Sequence, residues 1–339
     1  MKAFDQAMSD YQVKWREKYL ATEEQGWQSR RQYPWILPQQ PWEEVLWPGI
    51  RSDSEHSLPA YLRRNRIQKH QGVHNLKSSW MLCANLYFPF CASEHGRSLM
   101  GGFLREHVSA QIQSMEAGEL EYAGIGDLHP SRLLGEQSGI WGAGQTSPDI
   151  AFLANGRRAL ILIENKLVEH SFYSCSARRH EGSTKREGNP DPSRCQNPAT
   201  LIDNPASRCH QAAWSRRYWE HLAPIFNREM LPALKCCPAA RAGYQLFRQQ
   251  ALAEGIAASG AYELVMSCVA FDARNAAIQS FLRRTGISDL RQWEQLFDGK
   301  ASFAVFTHQQ WVTWVRDHDT AGTWTDWLDY VARRYGYAA

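Results

Sequence analysis

Three side chains in the 339-residue sequence carry the most specific chemistry: Asp149, Glu164 and Lys166. Asp149 precedes an apolar run over 150–154, Glu164 and Lys166 fall at the end of a second run over 158–167, and Asn155-Gly156 lies between the runs. Asn-Gly supplies the two positive-φ residues of a type I′ turn, so the runs read as the paired strands of a hairpin. With a strict two-residue turn, Ala154 faces Arg157 and Asp149 faces Leu162. Alternation then puts Leu162, Glu164 and Lys166 on the face that carries Asp149. The Asp149–Glu164 diagonal is roughly 7 Å at the backbone, within reach of one shared hard cation. Adjacent carboxylates resist joint ionisation; a divalent metal relieves that repulsion, and the Lys166 ammonium offsets charge nearby. A one-residue slip would turn Asp149 to the opposite face, so the reading stands on the register. The plainer alternative makes Asp149 a strand cap and Glu164 with Lys166 an exposed ion pair of small energetic weight.

A second concentration of chemistry lies in 171–238, where Pro, Asn, Arg and Cys interrupt any regular pattern. Five of the eight cysteines fall there: Cys175, Cys195, Cys209 and the pair Cys236-Cys237, with His180 and His210 among them. Four thiolates, taken as Cys175, Cys195, Cys209 and Cys237, suit Zn²⁺ or an iron-sulfur cluster, although no Cys-x-x-Cys pair marks such a site. Ordinary buried or free cysteines are the alternative. From Cys175 to Arg217 eight basic residues, Arg178, Arg179, Lys185 and Arg186 among them, face four acidic ones. Tyr173, Trp214, Tyr218 and Trp219 are interleaved. That mixture suits the sugar-phosphate backbone or unpaired bases, or else a solvated loop with an amphipathic helix behind it.

These groups need a scaffold. Leu160 to Ile163 are apolar on both faces, which places their strand in the middle of a sheet. Before the hairpin the pattern predicts helices over 4–24 and 103–117 and, between them, one capped by Ser78-Ser79, running through Trp80, Leu82, Cys83 and Leu86 and ended by Pro89. A short strand over 120–125 and a Gly-rich loop over 135–145 follow. After the insertion come a helix over 240–254, a strand over 263–271, a helix over 275–284 and a strand over 303–307. A helical tail with Trp311, Trp314, Trp324 and Trp327 closes the chain, a stripe suited to core packing rather than base stacking. Residues 1–75, punctuated by Pro34, Pro38, Pro41 and Pro48, read as an arm or cover; 76–275 as the core; 276–339 as a C-terminal helical extension.

Composition narrows the class. With 43 % hydrophobic residues a sizeable core is expected, and a net charge of +3 leaves no general polycation, so any nucleic-acid surface is local. The longest mainly apolar stretch, 80–92, is far short of the roughly 20 residues of a membrane span. The first ten residues lack the apolar segment of a secretory signal. The expectation is a soluble, cytoplasmic, bacterial-style protein with its cysteines reduced.

Ser147-Pro148-Asp149, fourteen residues, then Glu164-Asn165-Lys166 at the end of an apolar strand resembles the PD-(D/E)XK nuclease superfamily. The order of elements over about 103–271 resembles its restriction-endonuclease-like αβββαβ core, an α/β fold with a mixed central sheet flanked by helices. Ser78-Ser79 and Asn85-Leu86 together with the Cys-bearing insertion resemble a little-characterised bacterial branch of it. The resemblance implies that Asp149 and Glu164 ligate Mg²⁺ or Mn²⁺, with the Asn165 carbonyl as a further ligand. Lys166 would orient or activate the attacking water and stabilise charge on the phosphate. It implies hydrolysis of DNA phosphodiesters, an acidic residue on the first core helix, for which Glu106 is best placed, and substrate contacts from Gln245 beside Tyr244. Arg178 and Arg179 are further candidate substrate contacts, and two cuts in a duplex suggest a homodimer. The alternative is a catalytically inactive nucleic-acid-binding protein of the same fold, its cysteines holding a structural metal.

Overall fold

The computed structural model describes residues 3–51, 56–70, 72–137, 145–182 and 187–337. Its centre is a five-stranded mixed sheet: β1 (Met115–Leu120), β2 (Ile150–Ala154), β3 (Ala159–Lys166), β4 (Leu264–Phe271) and β5 (Ser302–Thr307), in that spatial order. β1, β2 and β3 pair antiparallel, whereas β4 and β5 add in parallel to β3. β3 is therefore the middle strand, and its eight residues are all buried, as the two-sided apolar run predicts.

Each face of the sheet is covered by helices. On one face Ile161 and Ile163 pack with α1 (Ala3–Tyr19), α2 (Ser79–Tyr87), α3 (Glu94–His107), α5 (His308–His318) and α6 (Thr325–Tyr335). On the other, Leu160 and Leu162 pack with α4 (Tyr244–Ser259), parts of the insertion and the segment around Trp293. The mixed α/β architecture with a flanked central sheet is that of the expected fold class.

The C-terminal tryptophans are core residues. Trp311 and Trp327 are fully buried, and Phe90 packs between Trp311, Trp324 and Trp327 with centroids 4.7, 3.9 and 4.8 Å away. Their indoles also do polar work: Trp311 Nε1 donates to the Leu86 carbonyl and Trp327 Nε1 to the Asn85 carbonyl, at 2.9 and 2.8 Å. They satisfy acceptors that the end of α2 leaves open. Ser78 caps α2 by accepting from the Met81 N–H.

Several boundaries differ from the sequence expectation. The helix expected over 103–117 is α3, capped by Ser93 and ending at His107. Ile112 and Met115 continue its apolar spacing only because the chain doubles back: Gly101 of α3 lies against the Met115 backbone, where an added Cβ would be 3.3 Å from the Met115 nitrogen. The strand expected over 120–125 is instead β1, which ends where Glu121 adopts a left-handed φ of 52°. The first helix stops at Tyr19. Of the loop expected over 135–145, residues 138–144 lie outside the described residues, as do Lys185 and Arg186 of the basic segment.

The hairpin is also longer than a type I′ turn. Asn155, Gly156 and Arg157 all have positive φ, and Ala154 pairs with Ala159 rather than Arg157. Asn155 is drawn outward by hydrogen bonds with the Gln113 N–H and the Gln111 carbonyl, which widens the turn to four residues. The register therefore moves by two, which preserves the face of every side chain.

Candidate active site

In the observed register Ile150 faces Ile163, and continuing it by one residue sets Asp149 opposite Glu164. The two carboxylate-bearing residues are thus direct cross-strand neighbours, about 5 Å apart at Cβ, rather than diagonal ones. Asp149 Oδ2 also accepts from the Asn165 backbone N–H at 2.7 Å, which ties its carboxylate to the end of β3. Burial and the nearby Glu164 push the Asp149 carboxyl well above its ordinary range, against the pull of Lys166.

Glu164 and Lys166 form a buried pair, not an exposed one. Lys166 Nζ donates to Glu164 Oε1 at 2.6 Å, and Lys166 is only 3 % exposed. Burial opposes its charge, but Glu164, Glu169 and Asp149 together hold the ammonium above the ordinary lysine range. Lys166 is consequently a fixed cation at neutral pH. The rings of Phe172 and Tyr173 lie 5.7 and 5.9 Å from its Nζ, and Tyr173 is largely exposed.

Gln245, in the first turn of α4, completes this group by donating to Glu164 Oε1 at 2.9 Å. Its own Oε1 is buried and unpartnered. The helix start is aimed there by two backbone bonds, Tyr244 N–H to the Tyr173 carbonyl and Gln245 N–H to the Phe172 carbonyl. Tyr244 itself bonds with Gln211. At this same end of β3, the buried His308 ring lies 3.2 Å from the Lys166 carbonyl and 2.8 Å from the Tyr87 hydroxyl.

A third carboxylate joins the pair without a sequence signal. Glu121 follows β1, its backbone N–H bonds to the Asp149 carbonyl at 3.0 Å, and its carboxyl is raised to about 7. Burial is the main cause; Glu164 adds to it, while the Ser147 hydroxyl and Trp80 indole oppose it. Glu106, the expected acidic residue, is exposed on α3 and lies in no contact with this group. A cleft of about 830 Å³ opens beside Glu121 and Ser147, lined also by Arg64, Arg66 and Arg157.

The donor chemistry fits a hard divalent cation. Asp149 and Glu164 are opposed carboxylates, their crowding shows in the raised Asp149 carboxyl, and among the described residues Asp149 Oδ1 and Glu164 Oε2 carry no hydrogen bond. Among the described residues no group of three or more His, Cys, Asp and Glu side chains is preassembled around a common point. That includes the insertion cysteines. Their segments do converge: the Cys237 N–H donates to the Cys195 carbonyl at 2.8 Å, and Gln211 donates to Cys175 Sγ at 3.0 Å. Burial, then the neighbouring thiols, push Cys195 to about 11 and Cys209 to about 12, and burial holds Cys237 well above its usual range.

Arg178 and Arg179 are exposed on the insertion and make no bond to the carboxylates. Arg178 instead gathers with Arg241 and Arg284 around a depression of about 460 Å³ that Ser174, next to Tyr173, also lines. Among the described residues no helix is long and apolar enough to cross a membrane.

Compared with known families, a family model described as Restriction Endonuclease associating with ARP matches residues 8–336. No curated protein and no solved structure gives a significant match.

Proposed function

Because the chain belongs to this restriction-endonuclease family, we propose that it is a metal-dependent nuclease of the PD-(D/E)XK type, hydrolysing DNA phosphodiesters through Asp149, Glu164 and Lys166. The observation that carries the reading is the opposed Asp149–Glu164 pair with a buried Lys166 whose ammonium lies 2.6 Å from Glu164 Oε1. Structural ion pairs are seldom built with surplus buried negative charge, since each added carboxylate raises the cost of ionising its neighbours. A site that expects a cation has that surplus by design.

Asp149 and Glu164 would hold Mg²⁺ or Mn²⁺, with the Asn165 carbonyl as a further ligand. When bound, such an ion supplies Lewis-acid stabilisation of the phosphate in transition. The chain's own residues divide the remaining work. Lys166, as an ammonium rather than an amine, orients the attacking water and offsets charge developing on the non-bridging oxygens. Gln245 fixes the Glu164 carboxylate, and its own side-chain carbonyl is buried without a partner. Arg64, Arg66 and Arg157 along the cleft, and Arg178 with Arg241 and Arg284 across the insertion, give the strand cationic contacts on either side. One site cuts one strand, so duplex cleavage calls for a homodimer. The family description adds association with ARP, which we carry over as a proposed partner.

The test is incubation with linear, circular and single-stranded DNA in Mg²⁺, Mn²⁺ or EDTA. Cleavage that requires metal and disappears in Asp149→Asn, with DNA binding kept, is expected. Cleavage undiminished in EDTA, or a fully active Asp149→Asn, would overturn the assignment.

A further inference from the structure

Beyond the carboxylates, β3 runs out through Val168 and Glu169 into a second pocket, about 690 Å³ in volume and within the size range of small-ligand sites. Its opposite walls come from the N-terminal segment. One is a two-stranded ribbon, Gly26–Gln28 paired with Arg31–Tyr33, that carries Trp27. The other is the chain leading into α2, which contributes His70, His74 and Asn75.

Two side chains set the chemistry of this pocket, Trp27 and His74. Trp27 is 62 % exposed, the most exposed tryptophan among the described residues. A ribbon three residues long gains nothing from an indole held in water. His74 is only 8 % exposed and lines the pocket, and among the described residues its ring takes part in no hydrogen bond. Its nitrogens are open to a hydrogen-bonding group that enters the pocket.

The charge in the pocket says which ligand group belongs there. Lys77 lines it, but its ammonium is engaged by Asp5 at 2.6 Å and Ser9 at 2.7 Å and sits 4.3 Å above the Trp35 ring. Among the described residues no arginine lines the pocket, and Glu169 contributes a carboxylate whose Oε2 accepts from the Leu167 N–H. That lining disfavours a phosphate. It suits a flat, neutral, hydrogen-bonding group: the amides of Gln28, Gln39 and Asn75 and the His74 imidazole offer donors and acceptors, and Trp27 offers a stacking face.

We propose that this pocket receives an unpaired base of the nucleic-acid strand held at the active site, stacked on Trp27 and hydrogen-bonded along its edge by His74. The inference rests on the nuclease reading, because the strand exit from Lys166 to Glu169 is what brings the two sites together. It adds a substrate preference: strands with an unpaired or extruded base bind better than a fully paired blunt duplex.

The experiment measures affinities of the full chain in EDTA for a single-stranded oligodeoxynucleotide and for the blunt duplex, with 2-aminopurine as the reporting base. Trp27→Ala should lower the single-strand to duplex affinity ratio by about 5- to 100-fold, the range for losing one base–aromatic stack. It should also relieve quenching of the 2-aminopurine. Trp27→Phe should retain most of both. An unchanged ratio in Trp27→Ala, or equal losses on both DNAs, would overturn the pocket. Metal-dependent cleavage of the blunt duplex by the unaltered chain is read separately: if it persists while the ratio is unchanged, the pocket alone falls. Quenching at Trp27 without cleavage of any substrate would sink the nuclease reading and leave the base site.

Discussion

His308 offers a quantitative test of how Lys166 is held. A carbonyl can only accept, so His308 Nε2 carries the proton and donates to the Lys166 carbonyl, while Nδ1 accepts from the Tyr87 hydroxyl. That arrangement needs a neutral ring. Burial lowers its pKa to about 4, opposed by Asp272, the Lys166 carbonyl and Glu169 and reinforced by Arg274. The unfolded chain has the ordinary value of about 6.5. The unfolded state therefore binds more protons between about pH 4 and 6.5, and stability is full above that window and lost as pH falls through it. At pH 5 the loss is about 2 kcal/mol from this residue alone. Other groups titrate as well, so the measurement is the difference between wild type and His308→Gln, whose amide does not titrate. Urea unfolding at pH 7 and pH 5 should show the stability gap between the two proteins narrowing by about 2 kcal/mol on acidification. A gap independent of pH would mean that His308 is not held neutral, and would refute this account of how the end of β3 is fixed.

Three further outcomes follow from the same geometry. Asp149→Asn should raise the melting temperature of the metal-free protein, because the Asp149 carboxyl is pushed up by burial and Glu164 and costs stability when ionised at neutral pH; a lower melting temperature by calorimetry would contradict the crowding. Gln245→Ala should slow cleavage by about tenfold while costing only about 1 kcal/mol in denaturant unfolding, since it removes one hydrogen bond to Glu164; an unaltered cleavage rate would remove Gln245 from the site. Glu136→Ala should cost about 3–5 kcal/mol by the same unfolding assay, because Arg248, Tyr218 and Thr146 all bond to that buried carboxylate and Arg248 is left uncompensated; a cost under about 1 kcal/mol would contradict this.

The sheet was legible because its strands announce themselves by short-range pattern: a two-sided apolar run for β3, and Asn-Gly for the hairpin. The face shared by Asp149, Glu164 and Lys166 survived an error in register only because the error was of even length. The turn was longer than expected because Asn155 bonds to residues 111 and 113, partners more than forty positions away that no local rule sees. The same limit hid Glu121, whose left-handed backbone at the end of β1 directs it to the site, and misplaced the expected third acidic residue on α3. The plainer alternative placed Lys166 in an exposed pair, whereas Phe172 and Tyr173 at the start of the insertion pack over its ammonium and Gln245 of α4 bonds its partner Glu164. Burial of that kind is a property of long-range packing. The ribbon of the N-terminal segment and the chain before α2 line a pocket beside the strand exit. Neither Trp27 nor His74 stood out from its neighbours in sequence.

The most direct test of the central claim is the Mg²⁺-dependent DNA cleavage rate of the wild-type chain beside Lys166→Met, with folding of the variant checked by urea unfolding. Methionine keeps the length and apolar stem of the buried side chain and removes only the charge. The account predicts a rate lower by about a hundredfold or more, as for loss of a group that stabilises transition-state charge, with DNA binding retained. A folded Lys166→Met variant that cleaves at close to the wild-type rate would contradict it.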